Sequence, residues 1–177
     1  MSYVLALIVA ALVVAADQIT KYLITASFTT SSAAVPVLGG LFNIRYTTNS
    51  GAAWSILQNK TWLLVAITLV VMAICVFMLI KKTYGSKLMF WAVSLVLAGG
   101  IGNLIDRIVS GKVVDFIEFG FFDFPVFNVA DIAVCTGAGL IVLYFIIDLI
   151  RDARKKKAGI AAEQAGTEPA DPDRPEV

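Results

Sequence analysis

Apolar residues fall into four long blocks separated by polar stretches: Tyr3 to Ile24, Thr61 to Ile80, Leu88 to Ile105 and Val129 to Ile147. Each approaches the ~20 residues that an α-helix needs to cross the hydrocarbon core of a bilayer, so each predicts a membrane-spanning helix. The first block has no basic residues ahead of it. It ends in Asp17, Gln18 and Lys21 rather than a small-residue cleavage site, and so reads as a retained helix. After Gly39 and Gly40, the stretch Leu41-Phe42-Asn43-Ile44-Arg45-Tyr46-Thr47 alternates apolar and polar residues, the pattern of a short half-buried strand. Between the third and fourth blocks, Phe116, Phe119, Phe121, Phe122, Phe124 and Phe127 stand among Asp115, Glu118 and Asp123, an aromatic density suited to the membrane-water interface. The expected fold class is an all-α membrane protein of four transmembrane helices with a small extracytoplasmic β-strand platform. Residues 1–157 form a single membrane domain; residues 158–177, with Pro169, Pro172 and Pro175 among charges, read as a disordered cytoplasmic tail.

Charge orients the bundle. Lys81, Lys82 and Lys87 join the second and third blocks, and Arg151, Arg154, Lys155, Lys156 and Lys157 follow the fourth, which puts both segments and both termini in the cytoplasm. The two longer connections, roughly Thr25 to Lys60 and Asp106 to Asn128, then face outward. A chain that is 59% hydrophobic and 15% charged, with a mean hydropathy of +0.85, could hardly keep its apolar residues off a water-exposed surface. The net charge of +1 implies no nucleic-acid partner. Cys75 and Cys135 each lie in an apolar run without a ligand-spaced partner, so they read as small hydrophobes, with no metal site. The chain has no histidine, and acid-base chemistry falls to carboxylates, lysine or tyrosine.

An ionisable group within a membrane helix costs about 2.5–3.5 kcal/mol on insertion scales, so such groups mark function or a paired contact. Asp17 and Lys21, at i and i+4, can pair along the first helix, either to let Asp17 insert or to meet substrate. The third helix ends in Gly99-Gly100-Ile101-Gly102-Asn103-Leu104-Ile105-Asp106-Arg107; the glycines suit a close helix seam, and Asn103, Asp106 and Arg107 turn toward one side. At the start of the fourth helix Asn128 is a good N-cap with Asp131 at N3, and the small Ala130 leaves space beside Asp131. Asp115, in Val113-Val114-Asp115-Phe116, has an apolar setting that disfavours its charge. Two carboxylates brought together in different environments can split into one ionised and one protonated group, the requirement of aspartic proteolysis. A proton-coupled carrier would spread its acids through the membrane depth, whereas Asp17, Asp106, Asp115 and Asp131 gather near one side. A lipid-headgroup enzyme with carboxylate-bound magnesium is a further alternative, distinguished by inhibition with EDTA.

Five motifs in order, Asp17-Gln18-Ile19-Thr20-Lys21, Asn49-Ser50-Gly51-Ala52-Ala53-Trp54, Gly102-Asn103-Leu104-Ile105-Asp106-Arg107, Val113-Val114-Asp115-Phe116 and Phe127-Asn128-Val129-Ala130-Asp131, resemble those of the lipoprotein signal peptidase (signal peptidase II) family. The resemblance implies a bacterial inner-membrane aspartic endopeptidase that needs no cofactor. It also implies that Asp115 and Asp131 are the catalytic carboxylates, with Asp17, Lys21, Asn49, Gly51, Asn103, Asp106, Arg107, Asn128 and Ala130 binding substrate or supporting the pair. Asp106 competes for a place in the pair on sequence alone. The implied partners are membrane lipid and diacylglyceryl-modified prolipoproteins, cleaved before the lipid-bearing cysteine by a monomeric enzyme whose site lies near the extracytoplasmic face. Trp54 stands where the family commonly has phenylalanine.

Overall fold

The computed structural model describes residues 3–29, 32–52, 54 and 56–165. Helices α1 (Tyr3–Ser27), α2 (Thr61–Lys81), α3 (Lys87–Ser110) and α4 (Val129–Ala165) contain the predicted spans, and all four are long and apolar enough to cross a membrane. Local chemistry sets their ends. Ser86 caps α3, its hydroxyl accepting from the Met89 N–H at 3.2 Å. Gly111, at φ 75°, stops α3 in the left-handed conformation that glycine adopts without a steric penalty, and its N–H donates to Arg107 O at 3.1 Å. The Thr61 hydroxyl donates to Gly111 O at 2.9 Å, tying the start of α2 to the end of α3.

Helix α3 is the hub. Half of its membrane span (50%) is buried within the protein against 11% for each of the others, and it packs on α1, α2 and α4. Its buried face carries Phe90, Ala92, Val93, Ala98 and Gly99, while α1, α2 and α4 turn Leu7, Val70 and Phe145 outward, the surface a lipid solvent requires. The α3–α4 seam depends on missing side chains. A Cβ on Gly99 would stand 2.3 Å from Ala130 O and 2.7 Å from Val134 Cγ2, and one on Gly137 would stand 2.6 Å from Ala92 O. Gly100, on the adjoining face, turns toward α2, where a Cβ would meet Met72 Cγ at 3.6 Å.

The strand region is larger than the alternation at 41–47 indicated. Strands β1 (Val35–Val37), β2 (Phe42–Asn49) and β3 (Val113–Phe119) form an antiparallel sheet in the order β1-β2-β3. The stretch read as part of an aromatic interfacial segment thus supplies a strand, and Phe119 gathers Phe42, Phe122, Phe124 and Phe127 around it at centroid distances of 4.6–5.6 Å. Ile44 pairs with Ile117 but Thr47 with Asp115, so Arg45 and Tyr46 stand opposite Phe116 alone, a β-bulge. The bulge inverts the phase of β2: Asn43 pairs with Glu118 on one face, whereas Thr47 and Asn49 come round to the face of Asp115. At the far end α4 runs on through its basic residues to Ala165, at ~1.5 Å per residue well past the ~30 Å bilayer core. The tail expected to be disordered from residue 158 is therefore helical as far as Ala165, and the rest of it, 166–177, lies outside the described residues.

Gly99→Ala should cost about 1–3 kcal/mol, because the new methyl meets a backbone carbonyl that cannot give way, while Gly100→Ala should be nearly neutral. Thermal unfolding of the detergent-solubilised variants measures the difference. Equal melting temperatures would mean that the seam is not closed at Gly99.

Candidate active site

The site forms where the last three turns of α1, the last turns of α3, the first turn of α4 and the sheet converge. Asp17 is fully buried and accepts the Ala130 N–H at 2.9 Å, so a carboxylate of α1 satisfies a free donor in the first turn of α4. Lys21, one turn on, spends its three ammonium protons on Asp17 at 2.8 Å, Asp106 at 2.9 Å and the Asn103 side-chain oxygen at 3.0 Å. Gln18, which sequence reasoning passed over, closes the group by donating to Asp17 at 3.1 Å, Gly102 O at 3.2 Å and Asp106 at 3.0 Å. Asp17 and Lys21 are thus spent on joining α1 to α3 and α4. The small size of Ala130 serves a related purpose: its Cβ lies 3.0 Å from where a Cβ on Gly102 would stand, so it admits α3.

Asp106 and Arg107 part company. Asp106 accepts from the Val114 N–H at 3.1 Å and pins the start of β3, away from the cavity. Arg107 turns the other way and donates to Gly51 O at 3.0 Å, holding the loop after β2. Asn103, between them on the helix, serves both sides.

The three asparagines have their amides oriented by groups that can only donate. Asn49 Oδ1 accepts the Gly51 N–H at 2.8 Å, Asn103 Oδ1 accepts from the Lys21 ammonium at 3.0 Å, and Asn128 Oδ1 accepts the Asp131 N–H at 2.9 Å. Each Nδ2 is therefore left to face a carboxylate: Asn49 to Asp115 at 3.1 Å, Asn128 to Asp115 at 2.7 Å and Asn103 to Asp131 at 2.7 Å. The second oxygen of Asp131 accepts the Asn128 N–H at 3.1 Å, so the capping box read from sequence is present and leaves the other oxygen for the site. Asn49 reaches Asp115 because the β2 bulge has turned it to that face.

Asp115 and Asp131 line one cavity of about 620 Å³, walled by Val113, Phe119, Phe127 and Ile132 and reached also by Asn49, Asn103, Arg107 and Cys135. Asp115 is 3% exposed. Burial first, and then the negative charge of Asp131, push its carboxyl from the usual carboxylate range up to about 7, against the lowering influence of its two asparagine bonds and Lys21. The arrangement can hold a single proton between two carboxyl groups at neutral pH. Trp54 stands at the cavity mouth, 68% exposed and edge-on to Phe124 at 5.6 Å.

Fold and site together define a polytopic membrane enzyme whose available acid-base groups are carboxylates. The pattern of the family described as signal peptidase (SPase) II matches residues 9–147. The lipoprotein signal peptidase of Brevibacillus brevis is 40% identical over 150 residues, covering 85% of this chain and 97% of that protein. That of Bacillus pumilus is 41% identical over 152 residues, covering 85% and 95%. A solved structure of a bacterial membrane enzyme superposes with a TM-score of 0.77 at 35% identity, over 83% of this chain and 90% of that one. The chain belongs to the signal peptidase II family and is a protease with multiple membrane spans.

Lys21→Met should leave Asp17 and Asp106 as buried carboxylates without their shared cation, a loss of about 3–5 kcal/mol. The melting temperature in detergent should fall accordingly. A variant as stable as the parent would show that the cation does not hold the helices together.

Proposed function

We propose that the chain removes signal peptides from diacylglyceryl-modified prolipoproteins, cleaving before the lipid-bearing cysteine, with Asp115 and Asp131 as the catalytic carboxylates. The observation that carries this reading is that buried Asp115 and half-buried Asp131 face one cavity, each held by asparagine N–H groups of fixed direction. Asp131 takes a proton from water as the water oxygen attacks the scissile carbonyl carbon. Asp115, holding its proton near neutral pH, hydrogen-bonds to the carbonyl oxygen as negative charge develops there. Collapse of the tetrahedral intermediate breaks the C–N bond, and the leaving amine of the cysteine takes up a proton from the pair. Asp106, Lys21 and Asp17 hold the backbone on which the acids sit. Gly51 and Arg107 fix the loop over the cavity.

The orientation follows from charge. Lys81, Lys82 and Lys87 and the basic run after residue 150 sit at the end of the bundle opposite the sheet, so cytoplasmic termini put the site near the extracytoplasmic face. Reporter fusions after Lys82 and after Lys157 should both read cytoplasmic; a periplasmic signal at either would refute the orientation.

Asp115→Asn and Asp131→Asn should each reduce cleavage of a diacylglyceryl-modified prolipoprotein by several orders of magnitude at unchanged membrane yield, because an amide cannot exchange the required proton. Gel-shift assays with purified enzyme measure this. Asp106→Asn should lose stability along with activity; full turnover in Asp115→Asn beside complete loss in Asp106→Asn would reassign the pair. The carboxyl of Asp115 must carry its proton, so kcat/KM should decline by about tenfold per pH unit as pH rises past about 7. A rate independent of pH from 6 to about 9 would remove Asp115 from the acid role.

A further inference from the structure

The larger cavity is only part of the space around Asp115. A second cavity, of about 400 Å³, lies across a partition of Asn49, Trp54, Asp115 and the Phe124-Pro125-Val126 segment, residues that line both. The two differ in chemistry. The larger is walled mainly by apolar groups and extends past Ile132 and Cys135 along a membrane helix. The smaller is lined by Thr47, Thr48, Ser50 and Gln58, with Arg45, Glu118 and Asp123 as its further charged groups. Those charges do not balance. Arg45 pairs with Glu118 at 3.1 Å and Asn43 donates to the other Glu118 oxygen at 3.1 Å, whereas among the described residues Asp123 makes no salt bridge. Lys60 and Lys112, at the same end of the bundle, line neither cavity.

We propose that this polar cleft receives the substrate residues that follow the lipid-bearing cysteine, and that Asp123 makes it favour basic over acidic side chains there. The inference rests on the peptidase reading above. A prolipoprotein changes character around the scissile bond: an apolar signal helix precedes it, the lipid on the next cysteine belongs with the apolar side, and a polar chain bound for water follows that cysteine. Asp115 belongs to the walls of both cavities, so a bond placed at its carboxyl has the apolar cavity on one side and the polar cleft on the other. A cleft of this volume is roughly 9 Å across, room for about three extended residues. With Glu118 paired to Arg45, Asp123 adds an unpaired negative charge to the cleft on the side away from Asp115, and a Lys or Arg in the first residues after the cysteine is attracted where an Asp or Glu is repelled.

The test uses diacylglyceryl-cysteine peptides that are identical through the lipidated cysteine and carry Lys, Gln or Glu at the second and third residues after it. With purified full-length enzyme in detergent, kcat/KM for the Lys peptide should exceed that for the Glu peptide by about two- to fivefold, the scale of a partly exposed ion pair. The ratio should shrink with added salt. It should fall toward one in Asp123→Asn and invert in Asp123→Lys. A wild-type ratio near one, or a ratio that both variants leave unchanged, overturns the proposal. The Gln peptide separates the two levels of inference: if it is cleaved without any charge preference, only the cleft assignment falls; if the wild-type enzyme leaves it intact, the peptidase reading falls with it.

Discussion

Everything at the site depends on where the protons of one buried ammonium go. Lys21 is 4% exposed and meets two carboxylates and an amide oxygen, on α1 and α3. Such a group is costly to take out of water and is tolerable only when each N–H finds an acceptor. Here the acceptors do further work. Asp17 reaches across to the first turn of α4, Asp106 to the first residues of β3, and Asn103 to Asp131. The cation thereby couples the positions of the elements that carry Asp115 and Asp131 while touching neither acid directly.

The amides extend that control from position to polarity. An asparagine side chain can turn over at little cost unless one end is claimed, and an amide presenting its oxygen to a carboxylate would repel it. Because Lys21, the Gly51 N–H and the Asp131 N–H can only donate, the three asparagines have one satisfied orientation each, and both acids meet N–H groups.

Much of this was legible in the sequence because it is local. Apolar length located the four spans, a polar residue three before an acid marked the Asn128–Asp131 cap, and the close seam at Gly99 followed from a missing side chain. What depends on distance between elements was not legible. Val113-Val114-Asp115-Phe116-Ile117-Glu118-Phe119 does not alternate, and it becomes a strand because β2 supplies a partner and Asp106 anchors its start. Helical spacing put Asn103, Asp106 and Arg107 on one side, but an arc that wide can face two neighbours at once, and Asp106 and Arg107 take one each. Gln18 carried no signal beyond its place in a motif; only the packing of α1 on α3 brings Gly102 and Asp106 within its reach.

The bulge in β2 makes this strand sensitive to counting. Side chains alternate between faces, so changing a residue there alters one contact; removing either Arg45 or Tyr46 would erase the bulge and leave Asn49 on the face of Asp115. Removing both would carry Asn49 to the opposite side of the sheet from Asp115. The strand thus behaves as a ruler with a parity mark: its length, independently of its composition, decides whether the amide and the acid meet.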